Sequence, residues 1–247
     1  MLTDERHAII LDQLEQKNTV TVQELVEQLG HSESTIRRDL TTLEDQEKLV
    51  RIHGGARKKR KPVDEPTMDE KTVKFIQEKE KVSQLAATLV DDFDVIYLDA
   101  GTTTYSMIPY LEGKQIPVVT NGVPHAALLT DHKIETLLLG GKIKQRTKAV
   151  IGAFAERQLN ELNFTKAFMG MNGVDIAQGF TTPDTEEAAV KQKAIRQSNQ
   201  SYVLTDVSKL GEVSFSKVAD IDECTVITNQ LSEKQQEFKE YTRIMEA

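Results

Sequence analysis

Ser32-Glu33-Ser34-Thr35-Ile36-Arg37-Arg38-Asp39-Leu40 constrains the fold more than any other stretch of this 247-residue chain. Ile36, Leu40 and Leu43 recur at i, i+4 and i+7, the spacing that buries one stripe of a helix, which leaves Ser34, Thr35, Arg37, Arg38 and Thr41 facing outward. Ser32 is placed to cap this helix, because its hydroxyl accepts from the free N–H groups of the first turn, and Gly30-His31 supplies the turn before it. Upstream, Thr21-Val22-Gln23-Glu24 has the capping-box form and opens a short helix with Val22, Leu25, Val26 and Leu29 inward. Residues 4–17 form a supporting helix with Ile9, Ile10 and Leu14 inward. Downstream, Lys48-Leu49-Val50-Arg51-Ile52-His53-Gly54-Gly55-Ala56 alternates and then breaks at two glycines, which predicts a small β-wing with Arg51 and His53 at its tip.

A solvated face is the ordinary explanation for charges on a helix. Here it must also account for the capping box, the turn, the Arg-Arg pair, the glycine wing and the basic run Arg57-Lys58-Lys59-Arg60-Lys61 in direct succession. Two short helices joined by a tight turn, the second carrying Arg and Ser/Thr, suit a DNA major groove. Arg37 and Arg38 are the candidates to read bases or clamp phosphates, Ser32, Ser34 and Thr35 to fix register, and Arg51 and His53 to add contacts from the wing. The net charge of −8 opposes nucleic acid only if it is uniform. It is not, because residues 1–61 carry as many basic as acidic side chains and all the net negative charge lies beyond them. Within 37–61, Arg37, Arg38, Lys48, Arg51 and the run 57–61 outnumber Asp39, Glu44, Asp45 and Glu47.

The two prolines and the charge reversal of Lys61-Pro62-Val63-Asp64-Glu65-Pro66 end the module, so residues 1–61 form one domain and 62–70 a linker. Val82, Leu85, Ala86, Leu89 and Val90 keep a helical spacing, which predicts one amphipathic helix over about 70–91. From Asp94 onward short apolar runs take over: Val95–Leu98, Val118–Thr120, Thr136–Leu139, Ala167–Met169, Tyr202–Leu204 and Thr225–Ile227. Room for helices remains at Thr103–Leu111, Pro124–Thr130, Gly152–Leu162 and Asp184–Ser198. Runs that do not alternate are buried on both faces, as in a parallel sheet covered by helices, so residues 71–247 are read as an α/β domain. Cys224 is the only cysteine, which rules out an intrachain disulfide, and its neighbours Thr225-Val226-Ile227 suggest a buried strand thiol. No metal site and no cofactor is expected. No apolar run approaches the roughly 18–20 residues that span a bilayer and no signal-peptide pattern opens the chain, so a soluble, cytoplasmic protein without a membrane partner is expected.

In open parallel sheets, ligands bind beyond the carboxyl ends of the strands, so the residues after each apolar run are informative. They are Asp99-Ala100-Gly101-Thr102-Thr103-Thr104, Asn121-Gly122, Gly140-Gly141-Lys142, Gly170 with Asn172-Gly173, and Asp206-Val207-Ser208-Lys209. Gly101, Thr102 and Thr103 lead from a strand into a helix, where backbone N–H groups and hydroxyls suit a phosphate. Lys209 adds a point charge, Asp99, Asn121, Asn172 and Asp206 can bond sugar hydroxyls, and Gly141 lies at a further strand end. A second candidate is Gly179-Phe180-Thr181-Thr182-Pro183, in which Thr182 caps a helix and Pro183 takes its first position. Glu186, Glu187 and Lys191 then reach either a pocket or only solvent.

On Ser34–Leu40, Arg51–Ala56, Asp99–Thr104, Thr120-Asn121, Gly140-Gly141, Gly179–Thr181 and Asp206–Lys209, taken in this order, the chain resembles the DeoR family of bacterial transcriptional regulators along essentially its whole length. The resemblance implies a winged helix-turn-helix in 1–61. It joins this to an effector-sensing and oligomerisation domain in 71–247, related in fold to ribose-5-phosphate isomerase. It also implies a homo-oligomer, dimer or tetramer, that usually represses a carbohydrate-use operon until a phosphorylated sugar binds. The nearest look is to the lactose and fructose phosphotransferase-operon repressors, which makes fructose 1-phosphate the first expected effector and tagatose 6-phosphate the second. Two alternatives share these residues: an activator of the same architecture, and a sugar-phosphate isomerase or deaminase using Asp99, Asp206 or Glu186 as base. No catalytic residue is assigned, because an operator-binding module makes sensing sufficient.

Overall fold

The computed structural model describes residues 3–17, 19–52, 54–58, 67–72 and 75–247. They fall into two compact units, Met1–Asp64 and Glu65–Ala247.

The first unit runs α1 (Thr3–Lys17), β1 (Thr19–Thr21), α2 (Val22–Leu29), α3 (Glu33–Asp45), β2 (Leu49–Ile52) and β3 (Gly55–Lys58). The strands form an antiparallel sheet in the order β1-β3-β2. Thr21 and Glu24 cap α2 reciprocally, with Thr21 N–H donating to Glu24 at 2.8 Å and Glu24 N–H to Thr21 at 3.2 Å. Gly30 ends it at φ 66, the left-handed region that glycine enters without steric cost. Ile36, Leu40 and Leu43 of α3 pack with Leu25, Ile10 and Leu14 in one apolar core. Ile9 is only partly covered, and the buried position one turn before Ile10 is held by Arg6.

The second unit begins with α4 (Met68–Thr72) and α5 (Ile76–Thr88), followed by β4 (Ile96–Leu98), α6 (Thr102–Met107), β5 (Pro117–Thr120), α7 (Val123–Asp131) and β6 (Glu135–Leu138). A hairpin of β7 (Lys142–Lys144) and β8 (Ala149–Ile151) leads to α8 (Ala153–Leu159) and β9 (Phe164–Gly170). Then come β10 (Gly173–Asp175), β11 (Gly179–Thr182), α9 (Thr185–Arg196), β12 (Ser198–Leu204), β13 (Ser216–Ala219), β14 (Thr225–Thr228) and β15 (Ile244–Glu246).

Three expectations are corrected. Residues 70–91 are not one helix: α4 and α5 are separate, Phe75 stands between them at φ 55, and a left-handed residue cannot continue a right-handed ladder. α4 also occupies part of the expected 62–70 linker, while Lys61 to Pro66, read as the end of the module, lie outside the described residues. Gly179–Thr182 is strand β11, not the approach to a helix capped by Thr182. Asp184 caps α9 instead, accepting from Glu187 N–H at 2.9 Å, so Pro183 precedes the helix.

Seven strands make one sheet in the order β15-β14-β12-β9-β4-β5-β6, every pair parallel. Successive residues feed opposite faces. Ile96, Leu98, Val118 and Phe168 pack under α5, α6 and α7, whereas Tyr97, Val119, Ala167 and Met169 pack under α8 and α9. Burial on both faces explains why β4, β5 and β9 read as unbroken apolar runs, whereas edge strand β6, expected to be buried likewise, leaves Leu137 and Leu138 exposed. The chain adds β5 and β6 on one side of β4, then returns to build β9, β12, β14 and β15 on the other. The winding therefore reverses between β4 and β9.

Candidate functional site

In the first unit, Ser32 caps α3 by accepting from Thr35 N–H at 3.3 Å, and its hydroxyl meets those of Ser34 at 3.0 Å and Thr35 at 2.9 Å. Three hydroxyls thus line the exposed start of the helix, where free N–H groups and the helix dipole favour a phosphate. Arg37 and Arg38 are both exposed. Arg37 is held by Glu33, one turn earlier, at 2.6 Å, whereas no carboxylate among the described residues pairs with Arg38. Asp39 is buried on the inner stripe and accepts from Arg6 at 2.7 and 2.9 Å, with His7 Nε2 at 3.2 Å. Burial alone would raise this carboxyl, but the hydrogen bonds and charge of Arg6, with His7 added, outweigh it and hold it below its ordinary value. The pair ties α3 to α1 and so sets which face of α3 is turned outward.

Arg51 is not at the wing tip. It lies within β2, its backbone N–H donating to Glu44 at 2.8 Å and its guanidinium to Thr41 at 2.9 Å, so it couples the wing to α3. His53, Lys59, Arg60 and Lys61 lie outside the described residues.

In the second unit the point where strand winding reverses is where an open parallel sheet leaves a crevice for ligand. Asp99, directly after β4, is 1% exposed and Lys191 of α9 is 7% exposed. Asp99 Oδ2 accepts from Gly170 N–H at 2.9 Å and from the Lys191 ammonium, which also donates to the Gly170 carbonyl at 3.0 Å. Gly101 and the partly exposed Thr102 follow at once, with Thr103 buried. Thr104 Oγ1 accepts from Gly101 N–H at 3.0 Å and donates to the Asp99 carbonyl at 2.6 Å, which closes the loop on itself. Asn121, after β5, accepts from Ala100 N–H at 3.0 Å and donates to the Val150 carbonyl at 3.2 Å, bracing the loop from behind.

His125 of α7 supports the same loop. Its Nε2 is 2.9 Å from the Gly101 carbonyl, which can only accept, so Nε2 carries the proton and Nδ1 is left buried without a partner. Burial, partly offset by the Asp99 charge, lowers its pKa to about 4 and keeps the ring neutral at pH 7. Gly122 leaves room for the ring, since a Cβ there would stand 2.4 Å from Nδ1.

The other expected residues lie on separate elements. Asn172 accepts from the Thr182 hydroxyl at 3.1 Å. Asp206, after β12, caps a short 3-10 turn that contains Lys209 by accepting from Ser208 N–H at 2.9 Å. Gly141 is exposed at the head of the β7–β8 hairpin, where a Cβ would stand 3.0 Å from the Ile151 carbonyl. Glu186 pairs with Lys142 at 2.8 Å, and Glu187 accepts from Thr147 at 2.7 Å, so both fasten that hairpin to α9. Of the three residues nominated on this helix, Lys191 alone joins Asp99.

His125 and Asp39 are site-forming groups that the sequence reading does not nominate, and they share one signal with Lys191, which it nominates without its partner. Lys191 sits on the buried stripe of Ala188 and Ile195, His125 on that of Leu129, and Asp39 among Ile36, Leu40 and Leu43. A titratable residue on the inward side of a helix marks a buried partner, although its spacing does not say which. Cys224 is buried, and burial pushes its thiol up to about 12, which leaves it inert. Among the described residues no group of His, Cys, Asp and Glu stands close enough to hold a metal, and no helix is long and apolar enough to cross a membrane.

Residues 6–61 match the DeoR-like helix-turn-helix domain and residues 74–230 the DeoR C terminal sensor domain. The chain is 49% identical over 234 residues to the HTH-type transcriptional regulator FruR of Bacillus subtilis (strain 168), covering 94% of this chain and 93% of that protein. It is 33% identical over 251 residues to the lactose phosphotransferase system repressor of Streptococcus mutans serotype c, covering 99% and 100%. Among solved structures, ribose 5-phosphate isomerase A of Methanocaldococcus jannaschii is 22% identical and overlaps 53% of each chain, with a TM-score of 0.41.

Proposed function

The chain belongs to the DeoR family of DNA-binding transcriptional regulators, and from that premise we propose that it represses a sugar-utilisation operon and releases its operator when a phosphorylated sugar binds. It is a regulator and not an enzyme, so Asp99, Asp206 and Glu186 are binding and bracing carboxylates, not catalytic bases. The scheme needs no metal or cofactor.

The observation that carries the effector half is the meeting of Asp99, Gly101–Thr103 and Lys191 where the strand winding reverses. The N–H groups and hydroxyls of Gly101, Thr102 and Thr103 take the phosphate, and Asn172, Asp206 and Lys209 at the neighbouring strand ends reach further sugar atoms. In the operator half, Arg37 and Arg38 contact bases or phosphates and Ser32, Ser34 and Thr35 hold phosphates, while Arg51, bonded to Glu44 and Thr41, braces the wing against the recognition helix. A dimer or tetramer would set two such helices on a repeated or palindromic operator.

A relative named as a lactose phosphotransferase system repressor supports a sugar that arrives phosphorylated. Fructose 1-phosphate is the first effector to test and tagatose 6-phosphate the second. A thermal-shift screen reads binding, because a ligand that binds only the folded state raises the melting temperature, and a gel shift on the operator reads release. One sugar phosphate is expected to do both at the same concentrations, while Thr102→Val keeps operator affinity and loses the response. A full panel with no shift and no release would overturn the sugar-phosphate reading.

A further inference from the structure

We propose that the buried Asp99–Lys191 pair reads a sugar hydroxyl, setting which phosphorylated sugar the protein answers to; this rests on the sugar-phosphate reading above. Both groups are charged, nearly inaccessible and incompletely used. An ammonium has three donors, and Lys191 directs two of them to Asp99 Oδ2 and the Gly170 carbonyl. The Asp99 carboxylate takes Lys191 and Gly170 N–H on Oδ2 alone, and no donor among the described residues reaches Oδ1. One donor and one acceptor are therefore left over on adjacent groups, two residues from Gly101.

A hydroxyl satisfies both at once, donating to Asp99 Oδ1 and accepting from Lys191. A second phosphate does not, because its charge would face the Asp99 carboxylate. An ammonium does not either, because it has nothing to offer Lys191. A ligand with its phosphate on Gly101–Thr103 and a hydroxyl-bearing carbon chain running toward α9 fits these chemistries in order. The pair also has a structural counterpart for contrast. Lys166 is bound by Asp94 at 2.6 Å and Asp91 at 2.9 Å at the opposite, amino end of the strands, far along the sheet from any phosphate loop.

The test uses the full chain and a panel of fructose 1-phosphate, fructose 6-phosphate, tagatose 6-phosphate and inorganic phosphate, with Kd measured by calorimetry. Asp99→Asn/Lys191→Met removes both charges together, so neither is left buried alone. It is expected to lose roughly 10- to 100-fold in affinity for the preferred sugar phosphate, the worth of one charge-assisted hydrogen bond. Its affinity for inorganic phosphate should stay within about 3-fold. Lys191→Arg keeps charge and burial but changes donor geometry, and it should reorder the panel.

Equal losses for sugar phosphate and inorganic phosphate in the double variant, or an unchanged ranking in Lys191→Arg, would reduce the pair to a structural brace and overturn the inference. A wild-type protein that binds no sugar phosphate more tightly than inorganic phosphate would overturn the sugar-phosphate reading as well. That failure shows before any variant is made.

Discussion

The candidate surface of the DNA-binding unit comes from one continuous stretch, Ser32 to Arg51, whereas the candidate site of the sensor domain is assembled from Asp99, Asn121, His125, Gly170 and Lys191, carried on strands and helices far apart in sequence. The polarity of the two surfaces is opposite as well. In the first, Arg37 and Arg38 point to solvent and a buried pair, Arg6 with Asp39, only sets the angle of the helix. In the second the ion pair lies within the candidate site itself and is nearly inaccessible. A surface that grips DNA is cheap to build, because exposed charges cost little, while a crevice that discriminates small ligands must desolvate its polar groups and then satisfy them.

The largest effect should follow from breaking the buried pair. Lys191→Met leaves the Asp99 carboxylate buried without a counter-charge, which costs about 3–5 kcal/mol. Denaturant unfolding of the full chain should show this loss, with most of it recovered in Asp99→Asn/Lys191→Met. A cost near that of an exposed pair, below about 1 kcal/mol, would mean that water reaches Lys191 and that the two surfaces do not differ as described.

Acid should separate the units next. His125 is held down to about 4 by burial, against about 6.5 in an unfolded chain. The unfolded state therefore binds the extra proton first, so the neutral ring's contribution is complete above pH 6.5 and erodes as the pH falls toward 4, by about 3 kcal/mol in all. Asp39 acts in the same direction but in a lower window: its carboxyl is held below its ordinary value of 3.8, so its contribution is complete above that pH and is lost only as the pH falls further, through the lowered value. Hydrogen exchange followed by mass spectrometry from pH 7 to 4 should show protection falling around Gly101 and α7 while α3 keeps its own. Equal loss in both would contradict the placement of His125.

The same contrast explains what the sequence made legible. A helix stripe, a capping box and a glycine turn are local, so the spacing of Ile36, Leu40 and Leu43 and the Thr21–Glu24 pair were enough to draw the first unit. The apolar runs likewise announced a parallel sheet, because strands buried on both faces need no alternation. What stayed hidden is set by chain return. Nothing near Lys191 names Asp99 as its partner, and nothing near β4 says that β9 rather than β6 will lie beside it. The wing misled for a related reason. Alternation placed Arg51 beside the glycines, but the register of β2 against β3 puts it opposite Ala56, with its guanidinium on Thr41.

The smallest expected effects lie on the DNA-binding surface and test whether its charges act separately. Arg38→Ala should weaken operator binding by about 1–3 kcal/mol, with the effector-induced thermal shift unchanged. Arg37→Ala should cost less, because Arg37 must first leave Glu33 to reach DNA. Glu33→Gln isolates that step. An exposed i, i+4 pair contributes only about 0.3–0.5 kcal/mol to folding, so stability should hardly move, yet Arg37 is freed and a negative charge leaves the surface. Operator affinity should then rise, and the slope of log K against log salt should steepen by about one phosphate contact. An unchanged slope in Glu33→Gln would mean that Arg37 already reaches a phosphate past its carboxylate, and the difference between the two arginines would disappear.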